Sequence, residues 1–96
     1  MNGKAEQNPF DVMTDTEYNI LDQLYFVSSF SRLLSELDMP EGDLKTELAN
    51  LIDKDWVKVL DKNADTEIQD KALWEKEFKN LQYLATKKGL FAHNTI

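Results

Sequence analysis

The sequence predicts one small domain, mainly α with a minor β part (α+β): a three-helix core, a two-stranded β-hairpin and a short C-terminal helix. Three observations predict it. Apolar residues recur at helical intervals from Ile20 to Ile52. Two runs of β-forming residues follow, Trp-Val-Lys-Val-Leu at 56–60 and Gln-Tyr-Leu-Ala-Thr at 82–86. The chain of 96 residues carries two Trp, three Tyr and five Phe, which fill one modest core and not two.

Residues 1–13 contain Gly, Asn and Pro without helical periodicity, and are expected to form a flexible arm ahead of a single domain at 14–96. Thr14 stands three residues before Glu17, the spacing of a capping box. Ile20, Leu21, Leu24 and Val27 then recur on one face, so the first helix is expected at about 15–27. Ser28 or Ser29 can cap a second helix whose buried stripe is Phe30, Leu33, Leu34 and Leu37. Pro40 ends that helix and suits the first turn of the next. Leu44, Leu48, Leu51 and Ile52 give the third helix its apolar face, ending near Asp53–Trp56. Trp74, Phe78 and Leu81 recur at helical spacing inside a long connection between the two strands. Thr86 can cap the last helix, at 87–94.

Composition narrows the chemistry. The absence of cysteine excludes disulfides, cysteine-ligated zinc, iron–sulfur sites and thiol nucleophiles. No charged-then-apolar leader is visible and no apolar run approaches ~18 residues. A cytoplasmic protein without membrane contact is the expectation. The net charge of −7 is uneven: residues 1–55 hold 12 acids and 4 bases (−8), residues 56–96 hold 6 acids and 7 bases (+1). The first half should repel a phosphate backbone.

Residues 28–60, SSFSRLLSELDMPEGDLKTELANLIDKDWVKVL, run helix, tight turn, helix and strand without spare residues. This resembles a winged helix-turn-helix domain of the MarR- or PadR-type transcription regulators. There the pattern L-x-x-L…L-x-x-L-x-x-x-G-W/L-V carries the second helix, the recognition helix and the first wing strand. Leu34 and Leu37, Leu48 and Leu51, and Trp56 and Val57 occupy those places. Tyr83–Gly89, YLATKKG, is similar to the family's Y-x-L-T-x-x-G, which closes the wing. The resemblance spans residues 14–92. Asp55 stands where the family has a glycine, and Asp can take the left-handed conformation at some cost.

The resemblance implies a non-enzymatic, transcription-regulator-like module whose third helix meets duplex DNA. Lys45, Thr46 and Asn50 would then contact base edges or phosphates, with Lys58 and Lys62 along the wing. Charge objects. The expected solvent face is Asp43, Thr46, Glu47, Asn50 and Asp53, and residues 41–55 hold five acids and two bases (−3). The chain's only arginine, Arg32, lies in the preceding helix. A rival reading is a protein-interaction module whose acidic face binds a basic partner. Many such regulators dimerise through a long helix after the wing. This chain runs seven residues past Gly89, so any homodimer is expected to use the first helix or the arm.

Other signals are weaker. Residues 61–72, DKNADTEIQDKA, place Asp61, Asn63 and Asp65 like the first ligands of an EF-hand calcium loop. Thr66 and Ala72, however, replace that loop's glycine and bidentate glutamate, so a turn near Asn63–Ala64 is the expectation. His93, the only histidine, cannot head a metal site alone and is expected to meet helix carbonyls or water. No cofactor is expected. Ser28, Ser29 and Ser31 read as caps, lacking the base and glycine elbow of a nucleophile. Leu24–Val27 is apolar on more than one side, so part of it should stay exposed, whereas Trp74 and Phe78 should cover the core.

Overall fold

The computed structural model describes residues 13–95, and the expected arm lies outside them apart from Met13, which packs against the core. The elements run α1 (Asp15–Gln23), β1 (Ser28–Ser29), α2 (Phe30–Leu37), α3 (Glu41–Asp53), β2 (Val57–Leu60), β3 (Glu67–Ile68), α4 (Lys71–Glu77), a 3-10 turn (Phe78–Asn80), β4 (Gln82–Ala85) and α5 (Lys87–Asn94). They form a compact α+β domain with an antiparallel four-stranded sheet in the order β1-β4-β2-β3.

The caps fall where their residue types demand. Thr14 and Glu17 close a reciprocal capping box at 3.0 Å in both directions, satisfying two N-terminal amides of α1. Ser29 accepts from Arg32 N–H, Asp70 from Ala72 and Leu73 N–H, and Thr86 from Gly89 N–H. The helical spacing of apolar residues becomes the core. Ile20 and Leu21 of α1, Phe30 and Leu33 of α2, and Leu44, Leu48 and Leu51 of α3 are buried together with Trp56 and Tyr83.

Three expectations need correction. The first helix stops at Gln23 instead of reaching Val27, because Leu24 O accepts from Ala85 N–H at 3.0 Å and the chain turns out to join the sheet. Ser28 and Ser29 are more than caps. They pair with Tyr83 and Gln82 as the strand β1. The hairpin is therefore not two-stranded: β4 sits centrally between β1 and β2, and β3 extends the far side. A two-residue strand carries no periodicity, so neither β1 nor β3 is visible as a pattern.

Helix α3 ends where Asp55 takes φ 64°, the left-handed stop expected there. Trp56 N–H then donates to Leu51 O, and β2 begins. Thr86 ties this corner to the last helix: its hydroxyl donates to Asp55 O at 2.7 Å and its N–H to Trp56 O at 2.9 Å. Gly89 is fixed by the same junction. A Cβ there would lie 2.1 Å from Trp56 O, a main-chain atom that cannot swing aside.

Candidate functional site

The exposed side of α3 follows from its buried stripe. Leu44, Leu48 and Leu51 point inward, which turns Asp43, Thr46, Asn50 and Asp53 to solvent; Glu47 is half-buried at the margin. Thr46 and Asn50 are thus exposed on the expected face. Lys45 is half-buried at the edge of that face and is paired. Its ammonium pairs with Glu75 of α4 at 2.8 Å and lies 4.7 Å from the centre of the Phe78 ring. Lys54, at the other margin, reaches back to the buried Glu17 at 2.6 Å and covers the Trp56 ring. Both cations of the α3 region are paired within the domain, and so are two of its acids, Glu41 and Asp53, which leaves Asp43 and Glu47 without an ion pair among the described residues.

The connection between β3 and β4 explains this. Trp74 anchors α4: it is buried, and its indole N–H donates to Tyr83 Oη at 3.0 Å. Phe78 packs edge-on against Phe30 at 5.1 Å. Anchored there, α4 and its 3-10 turn lie along α3 and add Lys71–Asp53 (3.1 Å) and Lys79–Glu41 (2.9 Å) to the Lys45–Glu75 pair. The sequence marks Trp74 and Phe78 as core residues but carries no sign that their helix flanks α3.

Lys58 and Lys62, the expected wing cations, are separated by the strand: Lys58 is half-buried on β2, and Lys62 is exposed at the tip. Neither makes an ion pair among the described residues. The structure does not bring the five expected contact residues onto one basic surface.

The acidic loop folds as a turn. Asp61 Oδ1 accepts from the amides of Asn63 and Asp65 at 3.0 and 2.9 Å, and Ala64 takes φ 60°. The Asp61 carboxylate is thus turned onto its own loop. Among the described residues no group of three or more His, Asp and Glu side chains could hold a metal ion.

His93 departs from expectation: it is buried, not at water or on a carbonyl. Tyr25 Oη donates to Asn94 Oδ1 at 2.5 Å and shares a hydrogen bond of 2.9 Å with His93 Nδ1. The imidazole stacks on Tyr18 at 4.1 Å, and its Nε2 lies 3.4 Å from Asp22 Oδ1. The ring joins α1 to α5. Nearby, Tyr25, Phe26 and Val27 are exposed, Phe26 by 82%, as the apolar excess of Leu24–Val27 implies.

A cleft of about 550 Å³ opens between the C-terminal half of α3, β2, β3 and α4. Ala49, Ile52, Val59, Ile68 and Trp74 give it an apolar lining. No helix among the described residues is long and apolar enough to cross a membrane. Comparison of the chain with protein-family models, with curated proteins and with solved structures finds no match.

Proposed function

We propose that this domain is a winged helix-turn-helix module, regulator-like in architecture and non-enzymatic, that binds a basic protein partner through the acidic side of α3 and not duplex DNA. The order α1-β1-α2-α3-β2, with β4 seated between β1 and β2, supports the winged-helix reading. Architecture alone does not set function, so the site must carry it.

One observation supports it: the α3 face presents Asp43, Thr46 and Asn50, with Asp53 paired to Lys71 of α4, while Lys45 and Lys54 are tied to Glu75 and Glu17. A groove-reading helix needs free Arg or Lys to release counterions and to meet guanine. This face would bring carboxylates toward phosphates instead, a repulsion that also slows encounter.

Fluorescence anisotropy separates the two readings. At low salt, tens of micromolar protein should leave a labelled random duplex unbound and should bind labelled poly-lysine in a salt-sensitive way. Saturable duplex binding would return the DNA reading to first place.

A further inference from the structure

We infer that His93 is a proton-operated clasp between α5 and α1: the protonated ring binds both Asp22 of α1 and the Tyr25 hydroxyl just beyond it, and the neutral ring binds one of them. The inference stands apart from the reading of the α3 face and concerns how firmly the last helix is held.

The number of available protons distinguishes the two forms. His93 is 7% exposed, and its two ring nitrogens face two oxygens. Nδ1 lies 2.9 Å from Tyr25 Oη, and Nε2 lies 3.4 Å from Asp22 Oδ1. A carboxylate only accepts. The Tyr25 hydroxyl has one proton, and it goes to Asn94 Oδ1. Each of the two contacts therefore needs an N–H from the ring. A neutral imidazole carries one, and an imidazolium carries two. Nε2 is enclosed and has no hydrogen-bond partner among the described residues. A buried polar atom in that position is costly, and a proton between it and the carboxylate removes the cost.

The surroundings suit the added charge. Asp22 supplies the counter-charge, and Tyr18 stacks on the ring with centroids 4.1 Å apart, offering the aromatic face that attracts a cation. Tyr18 and Asp22 come from α1 and Tyr25 from the turn after it, and on α5 the ring adjoins the uncharged Asn94.

Two features depend on this contact. Helix α5 brings Ala92 into the core and packs Leu90 against it. Tyr25 also begins the exposed apolar run Tyr25–Val27, so the same bonds anchor that patch. Acid closes the clasp, and a pH rising through the ordinary histidine range, near ~6.5, opens it.

The test uses the whole chain by NMR at about pH 7.5 and about pH 5.5, on either side of that range. Long-range proton–nitrogen spectra should show N–H on both ring nitrogens at the lower pH. Hydrogen-exchange protection of the Leu90, Ala92 and His93 amides, relative to Leu48 in α3, should rise about three- to tenfold on acidification, the range of one added hydrogen bond. Asp22→Asn, an exposed site that keeps its shape, should hold that rise below about twofold. A ring that stays neutral at the lower pH would overturn the clasp. So would proton uptake without added protection, or a rise in Asp22→Asn equal to that of the natural chain.

Discussion

Tyr83 joins the two halves of the core through one oxygen. It lies fully buried at the centre of β4, accepts from the Trp74 indole and donates to Phe78 O at 2.7 Å. Burial pushes its phenol well above the ordinary range, against the smaller opposing effect of the Trp74 hydrogen bond. The unfolded chain releases this proton near pH ~10, and the folded chain retains it to higher pH. The stability tied to it is therefore complete below pH ~10 and falls as pH rises from there toward the folded value. Tyr83→Phe should cost about 1–3 kcal/mol at pH 8, because it strands the Trp74 donor and the Phe78 carbonyl. Between pH 8 and 11 the natural chain should lose about 1 kcal/mol more than the variant. Urea denaturation at both pH values measures this. An equal loss in the two proteins would remove Tyr83 from the alkaline limb.

Among the elements, the question is what holds α4 against α3. Three ion pairs span the contact, but Lys71–Asp53 and Lys79–Glu41 are exposed on both sides, and Glu75 is exposed as well. Such pairs are worth ~0–1 kcal/mol each and weaken in salt. Burial of Trp74 is the larger effect. Trp74→Ala should cost about 3–5 kcal/mol and loosen α4, whereas Lys71→Ala or Lys79→Ala should each cost less than about 1 kcal/mol. Hydrogen exchange of the α4 amides discriminates the cases. Loss of protection in the lysine variants equal to that in the tryptophan variant would show that the ion pairs hold the helix. For function, the consequence is that Trp74 keeps α4 beside α3 across ordinary salt concentrations, while the Lys45–Glu75 pair itself weakens as salt is added.

Across the domain as a unit, two surfaces oppose each other in character. The acidic side of α3 repels copies of itself, and the net charge of −7 adds to that repulsion. Elsewhere Tyr25, Phe26 and Val27 expose apolar area beside α1. A homodimer closed over this patch, at the first helix as the sequence suggests, is the proposal that sedimentation equilibrium tests. Self-association should strengthen with added salt, which screens the charge. It should be lost in Phe26→Ser, with stability changed by no more than about 0.5 kcal/mol, since the ring is so exposed. A monomer at all salt concentrations would exclude the dimer.

The helices, their caps and most of the core are legible in the amino-acid order alone. These are local matters: Thr14 with Glu17, Ser29 and Thr86 act within three residues, and the Leu44–Leu48–Leu51 stripe is a periodicity readable in one dimension. The acidic balance of α3, and with it the objection to DNA, is equally legible, as are Thr46 and Asn50 as exposed positions. Other features emerge only when the chain packs. Folding cuts α1 short by drawing Leu24 O to Ala85 N–H, makes a strand of two serines, and buries His93 between two helices. It lays α4 along α3, which pairs Lys45 with Glu75 and leaves a cleft between α3, β2, β3 and α4. One cause underlies all of these. They depend on pairings between residues far apart in the chain, and the preferences of single residues and short windows do not encode which distant partner wins.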